Sequence, residues 1–186
     1  MNRAGYVLTG GRSSRMGCDK ALLPFRGGTL IEAVAAIVAR SAGSATLVGR
    51  PETFGALGFA VIPDVYPGEG PLGGILTALR HSGADWNLIT ACDMPALNCG
   101  VLENLLETAE RLDADALLPL GPAGLWEPLC AVYHRRTMEA LEARFAAGVR
   151  KVSAALEAVR AVPCPVVEVS CFQNINTPEE WQARER

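Results

Sequence analysis

The chain has 186 residues, of which 49% belong to the AVILMFWYC set and 20% are charged, too apolar for a disordered chain and long enough to bury ~70% of its unfolded surface. Seventeen Lys and Arg against twenty Asp and Glu give a formal net charge of -3, which argues against a nucleic acid held along a basic face. The longest apolar-leaning stretch, Leu30 to Val38, is interrupted by Glu32 and falls well short of the ~20 residues that span a bilayer. The N-terminal residues lack a signal-peptide pattern, so the expectation is a soluble, cytoplasmic protein with no nucleic-acid or membrane partner. With no linker or composition shift, residues 1–186 are expected to form a single domain.

In chain order, Ala4–Leu8 is a short apolar run ending at Thr9-Gly10-Gly11, and Leu30–Ala39 carries apolar residues at helical spacing behind the polar start at Thr29. Ala45–Val48, stopped by Gly49, and Phe59–Ile62, stopped by Pro63-Asp64, read as strands, and Ile75–Leu79 as a helix after a Gly/Pro-rich turn. Trp86–Ala91 is the next strand. Val101–Leu112 reads as an amphipathic helix with Glu103, Glu107, Glu110 and Arg111 outward. Ala116–Pro119 and Leu129–Tyr133 follow as apolar runs, separated by the connection Leu120–Glu127. Helical stretches over Thr137–Phe145 and Ser153–Val159, a strand over Pro165–Val169 and a closing helix opened by Pro178 complete the pattern. Strands alternating with helices predict an α/β fold: a three-layer sandwich whose mainly parallel sheet carries helices on both faces, Rossmann-like in style. Ligands of such sheets bind at the carboxyl ends of the strands, here the loops after Leu8, Val48, Ile62 and Ala91.

The first of those loops, Leu8 to Lys20, combines glycines that let the backbone approach an anion with Arg15 and Lys20 to offset its charge. It is neither a Walker loop nor a G-x-G-x-x-G turn. Cys92-Asp93-Met94-Pro95 places a carboxylate at the end of a central strand, where it suits Mg²⁺, although taken singly the motif reads first as a turn or helix cap. Ile62-Pro63-Asp64 and Gly68–Ile75 form a third turn-rich segment. Six cysteines show no C-x-x-C pair and read as buried, reduced thiols. His81 and His134 read as packing or surface groups.

Leu8–Lys20 with Ala21-Leu22-Leu23-Pro24, Asp64, Gly70–Ile75, Cys92–Pro95 and Asn174–Glu180 resemble the molybdenum cofactor guanylyltransferase family, within the glycine-rich-signature nucleotidyltransferases. The resemblance implies transfer of GMP from GTP to the terminal phosphate of molybdenum-molybdopterin, giving the guanine dinucleotide cofactor and pyrophosphate, with Mg²⁺ as cofactor. It implies GTP binding by Leu8, Thr9, Gly10, Gly11, Lys20, Asp64 and Asp93, catalysis by Arg15, Lys20 and Asp93, and metal binding by Asp93. Arg150, Lys151, Asn174 and Asn176 fall on the molybdopterin side, and transient contact with cofactor-synthesis or acceptor enzymes is implied. Thr9 stands where alanine is common, and Val48-Gly49-Arg50 offers no side-chain amide to the base. A cytidylyl or sugar-phosphate nucleotidyltransferase of the same fold, and a non-catalytic nucleotide-binding accessory protein, remain open alternatives.

Overall fold

The computed structural model describes residues 2–10, 19–121, 124–166 and 168–174. The first apolar run is β1 (Arg3–Leu8). Asp19 caps a 3-10 turn over Lys20–Leu22, its carboxylate accepting from Ala21 N at 3.2 Å. A hairpin of β2 (Pro24–Phe25) and β3 (Gly28–Thr29) follows. Thr29 and Glu32 then form a capping box that starts α1 (Leu30–Ala42), ended by Gly43 in the left-handed region. Next come β4 (Thr46–Val48), the short α2 (Pro51–Phe54), β5 (Ala60–Ile62), α3 (Pro71–His81) and β6 (Trp86–Ala91). The second half runs through α4 (Cys99–Leu112), β7 (Ala116–Pro119), β8 (Cys130–His134), α5 (Met138–Ala146), α6 (Val152–Ala155) and β9 (Ala161–Cys164).

Seven strands form one sheet in the order β5-β4-β1-β6-β8-β7-β9, and only β8 runs against its neighbours. Side chains alternate across it. Val7, Leu47, Leu88, Leu117 and Val132 pack under α1 and α4, while Tyr6, Leu8, Val48, Ile89 and Leu118 pack under α3, α5 and α6. The three-layer α/β expectation is therefore met. Among the described residues no helix is long and apolar enough to cross a membrane. Cys92, Cys130, Cys164 and Cys171 are buried and unpaired, and Cys99 is half-buried and unpaired.

Several elements depart from the sequence reading. The last strand is Ala161–Cys164, not Pro165–Val169, because pairing runs from Ala116↔Ala161 to Pro119↔Cys164 against β7. Pro163 is tolerated there since β9 is an edge strand with only one side bonded. Glu110 does not point to solvent: its carboxylate takes a two-pronged bond from Arg3, Nε and Nη2 each at 2.6 Å, and its side chain is only 7% exposed. Helix α3 begins four residues before the expected Ile75 and contains Gly73 and Gly74. A Cβ on those glycines would lie 2.8 Å from Tyr66 Cβ and 3.1 Å from Leu8 Cδ1, so the glycines serve close packing within the helix. The helix expected over Ser153–Val159 is α6 followed by a 3-10 turn at Leu156–Ala158. The closing helix at Pro178 lies outside the described residues. His81 stacks edge-on against Tyr6, and His134 against Trp86, packing roles that leave neither in the site described next.

Candidate active site

At the carboxyl ends of β1, β4 and β5 lies a cleft of about 410 Å³, lined by Thr9, Gly10, Asp19, Val48 to Glu52, Phe54, Asp64 and neighbouring turn residues. Its floor is stapled together. Thr9 N and Thr9 Oγ1 both donate to Val48 O, at 3.1 and 2.9 Å, and Gly49 N donates to Ile62 O at 2.9 Å. Position 49 must be glycine for this geometry, because a Cβ there would sit 1.9 Å from Thr9 Oγ1. Asp64 is fixed by an Asx turn, accepting from Tyr66 N at 3.0 Å, and by the Thr77 hydroxyl of α3 at 2.8 Å. Across the mouth, Arg50 pairs with Asp19 at 2.9 Å. Leu8 has its side chain buried and its carbonyl accepting from Cys92 N at 3.2 Å, so it supports the cleft without lining it.

Asp93 follows β6, the strand beside β1. Its Oδ1 is buried and accepts no hydrogen bond from the described residues. Burial raises its carboxyl above the ordinary value, against the opposing pull of the Lys20 charge and a backbone N–H. The adjacent Cys92 thiol is pushed up to about 12 by burial and by the Asp93 charge, which makes it a packing group and not a nucleophile. The fold thus brings the Lys20 charge, from a separate loop, near enough to act on the Asp93 carboxyl. A buried carboxylate oxygen with no donor suits a hard cation. Among the described residues no cluster of three or more His, Cys, Asp or Glu could cage a metal, so Mg²⁺ at Asp93 would complete its shell with phosphates and water.

A second cavity, of about 640 Å³, opens on the other side of β6. Arg150 and Lys151 line it together with Pro71, Leu125, Trp126, Leu129 and neighbouring residues. Arg150 is anchored by Glu69 Oε2 at 2.5 Å and by Phe145 O at 2.8 Å, with its guanidinium 4.0 Å from the centre of the Phe145 ring. In strand order β6 lies between β5-β4-β1, which end at the first cleft, and β8-β7, whose connecting loop forms the second cavity.

Of the residues singled out from the sequence, Thr9, Gly10 and Asp64 share the first cleft, the Lys20 charge acts on Asp93, and Arg150 and Lys151 share the second cavity. Asn174 lines neither space. Gly11, Arg15 and Asn176 lie outside the described residues. Sequence reasoning missed Asp19, Arg50, Glu69 and Trp126. Arg50 lay within a segment already marked for the base, but nothing local predicted its pairing with Asp19.

A mainly parallel sheet with a glycine-floored cleft at its carboxyl edge, and a partly buried carboxylate under the influence of a lysine charge beside it, fits a nucleotidyltransferase. Residues 5–162 match the MobA-like NTP transferase domain, and the chain belongs to that family. It is 34% identical to a probable molybdenum cofactor guanylyltransferase of Deinococcus radiodurans over 94% of this chain and 89% of that protein. Identity is 30% to a protein of the same name from Clostridium perfringens, covering 98% and 96% of the two chains. The crystal structure of molybdopterin-guanine dinucleotide biosynthesis protein A from Archaeoglobus fulgidus superimposes with a TM-score of 0.82 at 32% identity, covering 98% of this chain and 96% of that one.

Proposed function

We propose that this nucleotidyltransferase acts in molybdenum cofactor biosynthesis, moving GMP from GTP to the terminal phosphate of molybdenum-molybdopterin. The names of its relatives support the substrates. The observation that carries the chemistry is the buried Oδ1 of Asp93 at the end of β6, unpartnered among the described residues and under the influence of the Lys20 charge. An oxygen of the acceptor phosphate forms a bond to the α-phosphorus of GTP, the bond from that phosphorus to the β-bridging oxygen breaks, and pyrophosphate leaves with the electron pair. The attacking oxygen is already anionic, so no protein nucleophile or base is required.

What the chain supplies is alignment and compensation of charge. Thr9 and Gly10 offer backbone to the nucleotide, Asp64 stands at the nucleoside wall, and Lys20 with Arg15 offsets phosphate charge. Asp93 is the residue to hold Mg²⁺, which when bound would neutralise charge on the triphosphate and the leaving pyrophosphate. Arg150 and Lys151 attract the anionic acceptor in the second cavity. The setting we assign is the cytoplasm, with transient contact to the enzymes that supply and receive the cofactor. Incubation with molybdopterin, Mg²⁺ and each of the four nucleoside triphosphates, followed by mass analysis, should yield the guanine dinucleotide in preference to the others. Equal or better turnover with CTP in competition would overturn the donor assignment, and pyrophosphate release only with a sugar phosphate would overturn the acceptor.

A further inference from the structure

The second cavity contains more than its two cations. Leu129 joins it to the reacting centre: its carbonyl accepts from Ala91 N at 2.7 Å, at the end of β6 and two residues before Asp93. The loop between β7 and β8 supplies a wall. There Gly121 N donates to Leu125 O at 2.8 Å, and Leu120 bridges to Trp126. This pairing holds Leu125 and Trp126 in place yet leaves them 68% and 37% exposed. A tryptophan that merely sealed the loop would be covered by it. An open indole beside Arg150 and Lys151 matches a ligand that is flat and aromatic at one end and anionic at the other.

We infer that Trp126 is a specificity-determining residue, stacking on the fused heterocycle of the acceptor while Arg150 and Lys151 receive its phosphate. The inference rests on the acceptor reading given above and adds the group that tells a pterin from a sugar. A sugar phosphate satisfies the two cations equally well but offers no ring to the indole, so it gains little from Trp126.

Equilibrium dialysis of the full chain against pterin-6-carboxylate, with GTP measured in parallel, tests this without relying on turnover. Trp126→Ala and Trp126→Leu should each weaken binding of the pterin roughly tenfold or more, the scale of one ring stacked on an aromatic side chain, and Trp126→Phe should stay within about threefold of wild type. GTP affinity should stay within about twofold throughout, which also reports that each variant is folded. Leucine keeps the apolar volume without the aromatic face. Wild-type pterin affinity in the leucine variant would therefore overturn the stacking role while leaving the acceptor reading intact. A wild-type chain that binds GTP but not the pterin would overturn both together.

Discussion

Asp93 concentrates the cost and the benefit of the site in one side chain. Its Oδ1 is buried without a donor among the described residues, and its carboxyl is raised above the ordinary value of 3.8, burial outweighing Lys20. A carboxyl with a higher pKa in the folded than in the unfolded chain binds more protons when folded. Stability therefore falls as pH rises from the unfolded value through the folded one, and stays lower above it. Asp93→Asn removes the charge and with it the penalty. The nucleotide-free variant should melt at or above the wild-type temperature at pH 7, with the gap closing as pH is lowered below the unfolded value. Its turnover should fall roughly 100-fold or more and call for higher Mg²⁺, by analogy with loss of one electrostatic stabiliser. Melting curves across pH and pyrophosphate release against Mg²⁺ check the two halves. Superimposable Mg²⁺ curves would remove Asp93 from the chemistry.

Between elements, two contacts decide geometry. The first is the approach of β4 to β1 below the cleft, where a methyl at position 49 would collide with Thr9 Oγ1. Gly49→Ala should cost about 1–3 kcal/mol and weaken GTP binding, since overpacking forces neighbours off their rotamers. Adding Thr9→Ala, which deletes the colliding oxygen while Thr9 N keeps its bond to Val48 O, should recover most of the loss. Additive losses in a double-mutant cycle would show that the collision is not the cause. The second contact ties β1 to α4 through Arg3 and Glu110. Hydrogen bonding from Arg3 holds the Glu110 carboxyl below its usual 4.5, so this pair stabilises fully above that value and fades as pH falls through the lower folded one. Glu110→Gln should cost about 1–2 kcal/mol at pH 7, with the deficit shrinking in acid. Chemical denaturation at pH 7 and at pH 3 measures both numbers; a deficit unchanged by pH would assign the loss to shape and not to charge.

Across the whole molecule, the first cleft is assembled from the ends of three strands and the turns beyond them, so a ligand there binds only the folded chain. By mass action a donor at a hundred times its Kd adds about 2.7 kcal/mol. For a chain of this size that amounts to roughly 5–11 °C in melting temperature. GTP should produce that shift at a lower concentration than CTP in thermal melts with Mg²⁺ present, and an equal or larger shift with CTP would count against guanine selectivity. The two compartments share no lining residue, so an acceptor bound in the second cavity should add its own increment when both substrates are present.

The sequence by itself determined the features that depend on neighbours along the chain. Alternating apolar runs placed β1, β4, β5 and β6, the polar start at Thr29 placed the start of α1, and the strand-end rule put Thr9, Asp64 and Asp93 at one edge of one sheet. Periodicity and capping act within a few residues, so they are legible locally. Only the tertiary structure decided which strands pair and which distant charges meet. The reversal of β8 is fixed by its antiparallel pairing with both β6 and β7, and the position of β9 by its register against β7, neither of which is written in either segment alone. Glu110 turned inward because Arg3 reaches it from β1, Asp19 met Arg50, Glu69 met Arg150, and Lys20 came to bear on Asp93. Those pairings join residues far apart in the chain, and their free energy exists only once the packed sheet has closed the distance.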